Sequence, residues 1–224
     1  MDEIVRYRAG KLLTLRQDWG SSASTGASIW QGANIAAGYL ENVVKNKISG
    51  SRVLELGGGV GFCGLVADAL GAREVWITDG DPDVLKLTER NIDINVDSGN
   101  VHAAQLRWST DDELPFISTA WDFIVAADVT YKRSSWHDLI SCIYRLSTPG
   151  KTLTILAMEP RSRGTFSRIR YVGSNMNITD EVDGVLHEMK EVGLSWSEQR
   201  LPIDKEASMC GFTCGRLFLI QRPG

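Results

Sequence analysis

Cysteine, proline and histidine are scarce in this chain, which has four, six and three of them among its 224 residues. Four cysteines are too few for a fold held together by disulfides, and only Cys210 and Cys214 lie close together. This pair lacks the second pair of ligands that a structural zinc site needs. His102, His137 and His187 are too dispersed for a metal site or a catalytic triad. We therefore expect no bound metal.

The sequence also lacks an excess of positive charge and any long apolar run. Lys and Arg number 24 against 28 Asp and Glu, which gives a net charge of −4 and no general attraction to nucleic-acid phosphates. No stretch approaches the ~18 consecutive apolar residues of a membrane-spanning helix, and the N-terminal residues lack the layout of a secretory signal. We therefore expect neither a nucleic-acid partner nor a membrane, and a cytoplasmic monomer, with the nucleus as a second compartment.

Short apolar segments rich in β-branched residues alternate with segments of helical spacing. Strands are predicted at 52–56, 74–78, 102–106, 123–127 and 152–157, with a last pair near 194–199 and 215–220. Helices are predicted at 27–44, 62–70, 82–95, 136–146 and 179–192. This alternation, without repeats or linkers, predicts one α/β domain with a mainly parallel sheet covered by helices on both faces. Ligands then bind at the carboxyl ends of the strands.

A glycine-rich turn follows the first of these five strands and leads into a helix. Glycines 57, 58, 59 and 61 have no Cβ, so a ligand can lie against the backbone at the helix N-terminus. The spacing Gly59-x-Gly61-x-x-Gly64 matches the fingerprint of NAD(P) sites. However, the Glu55 carboxylate at the strand tip would repel a pyrophosphate, and it suits the amino group and sulfonium of S-adenosylmethionine. The residues favour the methyl donor over NAD(P).

An acidic residue ends the second strand, as either nucleotide would require. Asp79 lies twenty residues after Gly59 and can accept hydrogen bonds from both ribose hydroxyls. Its alternative role is to cap the following helix. Asp81 is better suited to that cap because it immediately precedes Pro82. We therefore assign Asp79 to ligand binding.

Four motifs and an upstream segment together resemble the eukaryotic seven-strand (class I) protein-lysine methyltransferases of methyltransferase family 16. This group includes calmodulin-lysine and elongation-factor lysine methyltransferases. The upstream segment, Thr25-Gly26-x-x-Ile29-Trp30, is similar to the group's Gly-x-x-x-Trp entrance segment. The four motifs are Leu54-Glu55-Leu56-Gly57-Gly58-Gly59-Val60-Gly61, Ile77-Thr78-Asp79-Gly80, Leu106-Arg107-Trp108 and Ala126-Ala127-Asp128-Val129-Thr130-Tyr131.

The resemblance implies a single Rossmann-like class I methyltransferase domain over 1–224, whose last strand, near 215–220, inserts antiparallel into a seven-stranded sheet. It implies an N-terminal segment and helix in 1–50, a donor-binding core in 51–158 and substrate-side elements in 159–224. The donor it implies is S-adenosylmethionine, which leaves as S-adenosylhomocysteine. The implied contacts are Glu55, Gly57 and Gly59 at the methionine part, Asp79 at the ribose, Trp30 and Trp108 at the adenosine or pocket wall, and Ala127 on the adenosine side nearest the fourth strand.

Asp128 and Tyr131 are the candidate catalytic residues. A lysine ammonium with a pKa near 10.4 is about 3.4 pKa units from neutrality at pH 7, which costs roughly 4.6 kcal/mol. A carboxylate or tyrosine hydroxyl beside the amine can orient it and take part in its deprotonation. Alternatively, Asp128 caps the segment that follows and Tyr131 is a packing aromatic. Trp30 and Trp108 also have core packing as their alternative.

The acceptor is less defined by the sequence than the donor. The first hypothesis is methyl transfer to a lysine ε-amine of a protein substrate. A small molecule, another side chain or RNA would use the same donor residues, and an NAD(P)-binding or non-enzymatic domain is a further alternative. Four arginines between Arg161 and Arg170 form either a solvated face or a basic lip for an acidic protein surface or nucleic acid.

Overall fold

The computed structural model describes residues 2–18, 25–110, 119–159, 178–199 and 215–224. Within them the strands are β1 (Asp2–Ala9), β2 (Lys11–Asp18), β3 (Arg52–Leu56), β4 (Glu74–Asp79), β5 (Val101–Gln105), β6 (Phe123–Ala127), β7 (Leu153–Met158), β8 (Ser195–Gln199) and β9 (Arg216–Gln221). The helices are α1 (Gln31–Asn42), α2 (Lys45–Ile48), α3 (Phe62–Ala69), α4 (Pro82–Asn95), α5 (Trp136–Leu146) and α6 (Ile178–Glu191). Short 3₁₀ turns cover Thr25–Ala27 and Arg133–Ser135.

Seven strands form one sheet in the order β5-β4-β3-β6-β7-β9-β8. The strands β3 to β7 are parallel to one another, and β9 pairs antiparallel with both β7 and β8. The predicted antiparallel insertion of the last strand is therefore confirmed. The chain builds outward from β3 to β5 and then returns to place β6 on the other side of β3. The strand order thus reverses between the neighbouring strands β3 and β6. Open α/β sheets bind ligands at such a switch point.

Side chains alternate between two apolar layers, one on each face of the sheet. Val53, Ile77 and Val125 face the layer that contains α1 and α3. Leu54 and Ile124 face the layer that contains α5 and α6. Alternate residues of a strand point to opposite faces, so a sheet buried on both faces gives the nearly continuous apolar segments seen in the sequence.

An N-terminal hairpin, β1 and β2, is the main element that the sequence analysis missed. Leu13 and Leu15 on its inner face are fully buried in the layer of α1 and α3. Two asparagines one helical turn apart on α4 hold its second strand, β2. The side-chain amide of Asn95 accepts from the backbone N–H of Thr14 and donates to its carbonyl, both at 2.8 Å. Asn91 makes the same pair of bonds with Arg16, at 2.8 and 3.0 Å.

With one exception, the predicted strands and helices are found within one residue of their expected bounds. The helix predicted at 27–44 is shorter, because Thr25–Ala27 forms a 3₁₀ turn and α1 starts only at Gln31. No helix in the described parts of the chain is long and apolar enough to cross a membrane. The arginines of the 161–170 cluster, Cys210 and Cys214 lie outside the described residues.

Candidate active site

The carboxyl ends of β3, β4 and β6 open onto a cleft of about 360 Å³, a volume typical of small-molecule sites. The entrance segment before α1 and the loop after β5 complete its walls. All nine site residues predicted from the sequence line this one cleft: Trp30, Glu55, Gly57, Gly59, Asp79, Trp108, Ala127, Asp128 and Tyr131. The fold therefore brings together side chains that are up to 101 positions apart in the sequence, from Trp30 to Tyr131.

The glycine turn after β3 lies against the entrance segment, backbone to backbone. Gly57 and Gly59 have φ angles of 63° and 56°, in the left-handed region that favours glycine. A Cβ on Gly59 would lie 2.5 Å from the carbonyl oxygen of Gly26, and one on Gly57 would lie 2.6 Å from a Val129 methyl carbon. Both glycines are therefore required by the close approach of neighbouring segments as well as by the turn itself.

Glu55 is buried behind the glycine turn, with 3% of its surface exposed. Its two carboxylate oxygens accept backbone N–H bonds from Gly64 at 2.8 Å and Cys63 at 3.2 Å, in the first turn of α3. Burial raises the pKa of Glu55 to about 7, against the opposing effect of these two hydrogen bonds. Glu55 thus binds backbone N–H groups that have no partner within the first turn of α3, and it also lines the cleft.

Asp79 orders the junction between β4 and the glycine turn. One carboxylate oxygen accepts from the N–H of Gly59 at 3.1 Å, and the other accepts from the N–H of Asp81 at 3.0 Å. Burial raises the pKa of Asp79. The cap of α4 is supplied by Asp81, which accepts from the N–H of Asp83 at 2.9 Å, with Pro82 as the first helical residue. The assignment of that cap to Asp81 rather than Asp79 is confirmed.

Asp128, at the end of β6, has a φ of 53° and is the only non-glycine residue with positive φ in the described part of the chain. One carboxylate oxygen accepts from the N–H of Gly32, near the start of α1, at 2.5 Å. The other accepts from the N–H of Glu159, just after β7, at 2.8 Å. Asp128 therefore caps the start of α1 and also binds the segment after β7. Its carboxylate also lines the cleft.

Tyr131 stands at the mouth of the cleft with 38% of its surface exposed, so it is not a core aromatic. Its hydroxyl is 3.2 Å from that of Thr25. The indole N–H of Trp30 donates to the carbonyl of Thr25 at 2.8 Å, which fixes this ring in the entrance segment. Trp108 is half-buried and packs near Gly57, where an added Cβ would lie 3.2 Å from its ring.

Carboxylates outnumber cations in the wall of the cleft. Four acidic residues and one basic residue line it: Glu55, Asp79, Asp81, Asp128 and Arg107. This balance suits a positively charged ligand. The tight glycine turn, which leaves no room for a Cβ at Gly59, also provides the exposed backbone that a nucleoside ligand can approach closely. The residues present therefore fit S-adenosylmethionine. In the described residues, no three His, Cys, Asp or Glu come together as a metal site would need.

Some residues that line the cleft carried no prediction. Ser28 and Arg107 lie inside the motifs that pointed to the site but were given no role. Val129 sits between Ala127 and Tyr131, and its signal was its place in that same motif. The hydrogen-bond partners of Asp128 could not be predicted, because Gly32 and Glu159 are far from it in the sequence and only the fold brings them together.

Solved structures of other proteins share this fold. Magnesium protoporphyrin IX methyltransferase from Synechocystis PCC 6803, solved with bound SAH, superposes with a TM-score of 0.57. The match covers 85% of this chain and 82% of that one, at 16% sequence identity. At this identity the similarity concerns the fold alone, which is that of class I methyltransferases.

Two lysine methyltransferases are similar to this chain in sequence. The chain is 32% identical to protein N-lysine methyltransferase METTL21A of Danio rerio over 156 residues, which covers 68% of this chain and 69% of that protein. It is 31% identical to calmodulin-lysine N-methyltransferase of Arabidopsis thaliana over 171 residues, which covers 75% of this chain and 50% of that protein.

A sequence model of a family described as lysine methyltransferase matches residues 8–170. The match spans the glycine turn, the acidic end of β4 and the Asp128–Tyr131 segment. The match to a methyltransferase family supports the methyl donor over the NAD(P) and non-enzymatic alternatives that the sequence left open. The chain belongs to the lysine methyltransferase family and is an S-adenosylmethionine-dependent enzyme.

Proposed function

We propose that this enzyme methylates a lysine ε-amine of another protein in the cleft at the β3–β6 switch point. In this proposal Glu55, Gly57, Gly59, Asp79, Trp30, Trp108 and Ala127 bind the donor, and Asp128 and Tyr131 present the acceptor amine. The observation that carries the proposal is the convergence of all nine residues on one cleft whose wall is predominantly acidic. S-adenosylmethionine, when bound, supplies a methyl group on a positively charged sulfur.

The donor half of the cleft is ordered before any ligand enters. Asp79 fixes the N–H of Gly59, and Glu55 fixes the start of α3, so the turn between them is held at both ends. Each carboxylate oxygen of Asp79 has a second lone pair, which can accept from a ribose hydroxyl. Preorganisation of this kind reduces the ordering cost of binding.

In the acceptor half of the cleft, the lysine amine must be oriented toward the donor and must lose a proton. The carboxylate of Asp128 lies in the wall of the cleft, where it attracts the amine and can accept an N–H bond from it in either protonation state. The rings of Trp30 and Tyr131 exclude water and disfavour the charged form. The hydroxyl of Tyr131, exposed at the mouth beside Thr25, can accept a hydrogen bond from the amine and pass its proton toward solvent.

The identity of the substrate protein is not carried over from relatives, since similar proteins act on different targets. METTL21A is named only as a protein N-lysine methyltransferase, and the Arabidopsis thaliana relative is named for calmodulin. We further propose that the chain is a single catalytic domain that acts as a monomer in the cytosol, with the nucleus as a second compartment. The low cysteine content agrees with a reducing compartment. Light scattering and cell fractionation test these two points.

The experiment that tests the two halves separately measures S-adenosylhomocysteine binding by calorimetry and methyl transfer by label incorporation. Asp79→Ala is expected to weaken binding by about 10- to 100-fold, the value of one or two hydrogen bonds to a charged group. Asp128→Asn is expected to bind S-adenosylhomocysteine normally and to lose transfer. Asparagine is preferred to alanine there because it keeps an oxygen for one of the two backbone donors.

The matched control is Asp122→Asn. The carboxylate of Asp122 also accepts a hydrogen bond from a backbone N–H, that of Arg52, at 2.8 Å. This pair lies at the amino ends of β3 and β6, whereas the cleft lies at their carboxyl ends. Both binding and transfer should be preserved in this control. An equal loss of both activities in Asp128→Asn would place Asp128 on the donor side and contradict the proposed division of roles.

A further inference from the structure

The four residues from Asp128 to Tyr131 leave the sheet at the end of β6, and each contacts a different element. Asp128 bonds to α1 and to the segment after β7. Val129 lies against the glycine turn, at the point where a Gly57 Cβ would be 2.6 Å away. Tyr131 reaches Thr25. Because β6 ends at Ala127, the positions of Thr130 and Tyr131 depend on side-chain contacts rather than on ladder hydrogen bonds.

Thr130 is buried, and both its hydroxyl and its carbonyl are bound by side chains. The hydroxyl donates to a carboxylate oxygen of Glu181, on α6, at 2.7 Å. The carbonyl accepts from the indole N–H of Trp136, the first residue of α5, at 2.6 Å. Thr130 is 1%, Glu181 5% and Trp136 3% exposed, so these bonds are shielded from water. Two helices thus hold the residue immediately before Tyr131.

The helix α6 also provides the space in which the indole of Trp136 lies. A Cβ on Gly184 would be 2.1 Å from a ring carbon of Trp136, so only glycine fits there. Glu181 and Gly184 are three residues apart and therefore share a face of α6. One face of one helix supplies both the carboxylate that binds the Thr130 hydroxyl and the gap that admits the indole.

Burying a carboxylate between a helix and a sheet is energetically unfavourable. Taking a charge out of water costs several kcal/mol unless hydrogen bonds compensate. Val182 and Val185, its neighbours on α6, pack with apolar side chains alone. At Glu181 the buried carboxylate accepts the hydrogen bond of the Thr130 hydroxyl, and Thr130 adjoins the proposed acceptor residue.

We propose that Glu181, together with Trp136 and Gly184, forms a clamp on Thr130 that positions Tyr131 at the mouth of the cleft. Glu181 is a positioning residue in this role, since it is not among the residues that line the cleft. The inference rests on the proposed function because the role of Tyr131 in presenting the lysine is itself proposed. It adds α6 to the catalytic apparatus, 50 positions beyond Tyr131 in the sequence.

The test compares Glu181→Leu, which removes the acceptor, with Glu181→Gln, which keeps an oxygen for Thr130. The readouts are the initial rate of methyl transfer to extract protein at saturating S-adenosylmethionine, the Kd for S-adenosylhomocysteine, and the melting temperature. Glu181→Leu is expected to lower the rate by about 10- to 100-fold, as small displacements of reacting groups do, with the Kd changed less than about twofold. Glu181→Gln should restore most of the rate.

The matched control is Glu188→Leu. Glu188 lies two helical turns further along α6 and pairs with His137 of α5 at 3.1 Å, so its loss weakens the contact between the helices without touching Thr130. Its transfer rate should be that of the unaltered enzyme. Thr130→Val should reproduce the effect of Glu181→Leu, and combining the two should lower the rate no further, as expected for partners in one interaction.

Several results would overturn the clamp. These are a Glu181→Leu rate equal to that of the Glu188→Leu control, a parallel loss of S-adenosylhomocysteine binding, or additive effects of the Glu181 and Thr130 variants. If Glu181→Leu does not fold, Thr130→Ser against Thr130→Val gives the same comparison, with the hydroxyl kept or removed. If Tyr131→Phe leaves transfer unchanged, the proposed role of Tyr131 fails, and that failure is visible independently of Glu181.

Discussion

Replacing Gly59 of the turn by alanine should destabilise the protein for two reasons, the backbone conformation at this position and the lack of space for a Cβ. In Gly59→Ala, an L residue must adopt a φ of 56°, at a cost of about 1–2 kcal/mol. Its Cβ would lie 2.5 Å from the Gly26 carbonyl oxygen and would have to move by about 0.9 Å to reach an ordinary 3.4 Å contact. Overpacking of this kind costs about 1–3 kcal/mol. The free energy of unfolding should therefore fall by about 2–5 kcal/mol.

The displacement should also reach the ligand. The N–H of Gly59 is held by Asp79, so a shift of the turn moves both the backbone that faces the donor and the carboxylate proposed to bind its ribose. We expect the Kd for S-adenosylhomocysteine to rise by about 10-fold or more, the loss that about 1.4 kcal/mol of binding free energy produces. Urea unfolding gives the stability change, and titration calorimetry gives the Kd.

A second glycine provides the control with the opposite sign. Gly38 lies inside α1, and nothing is within 4 Å of the position that its Cβ would take. Gly38→Ala should therefore raise the free energy of unfolding by about 0.5–1 kcal/mol, because alanine is the better helix former, and leave the Kd unchanged. The reasoning would be refuted if Gly59→Ala unfolded and bound S-adenosylhomocysteine like the unaltered protein.

Three further predictions concern groups around the cleft. Burial raises the pKa of Glu55 from its ordinary value near 4.5 to about 7. Between these two pH values the folded state therefore binds more protons than the unfolded state. As the pH rises through this range, the ionisation of Glu55 should lower the free energy of unfolding by about 3 kcal/mol. Glu55→Gln should flatten this slope in urea unfolding between pH 4.5 and 7.5, and an unchanged slope would contradict the assignment. Asn95→Ala, which removes both bonds to Thr14, should cost about 1–3 kcal/mol in the same assay, whereas Asn42→Ala, which removes only a local bond to Gly38, should cost less than about 1 kcal/mol. Asp81→Ala should cost about 1 kcal/mol through loss of the α4 cap, and Asp81→Ser should recover it; equal melting temperatures for the two variants would argue against the cap.

The sequence predicted much of this molecule because its signals are local. Five strands with apolar periodicity, the glycine turn that follows β3 and the acid that ends β4 lie within short segments whose chemistry can be interpreted without knowing the fold. The rule that ligands bind at the carboxyl ends of parallel strands then predicted one crevice for eight of the nine residues, and they do line one cleft. The ninth, Trp30, precedes α1 and was assigned from the family resemblance.

What the sequence did not reveal depends on contacts between distant segments. The hairpin was missed, although β2 buries Leu13 and Leu15, because the side-chain amides of α4 that bind it are 75 and 81 positions away in the sequence. Asn91 likewise joins distant segments, because its side-chain N–H groups donate to the Arg16 carbonyl of the hairpin at 3.0 Å and to the Val60 carbonyl of the glycine turn at 2.9 Å. The capping of α1 by Asp128 likewise joins residues 96 positions apart.

The most direct test of the account is the transfer of radiolabelled methyl from S-adenosylmethionine into a cytosolic extract, with Asp79→Ala, which weakens donor binding, as the control. Separate protease and nuclease digestions, followed by acid hydrolysis, identify the labelled material. The account predicts label in a discrete protein band, recovered as methyl-lysine and strongly reduced with the control. Label confined to small molecules or to nuclease-sensitive material would contradict the proposed protein-lysine acceptor while leaving the fold and the donor site in place.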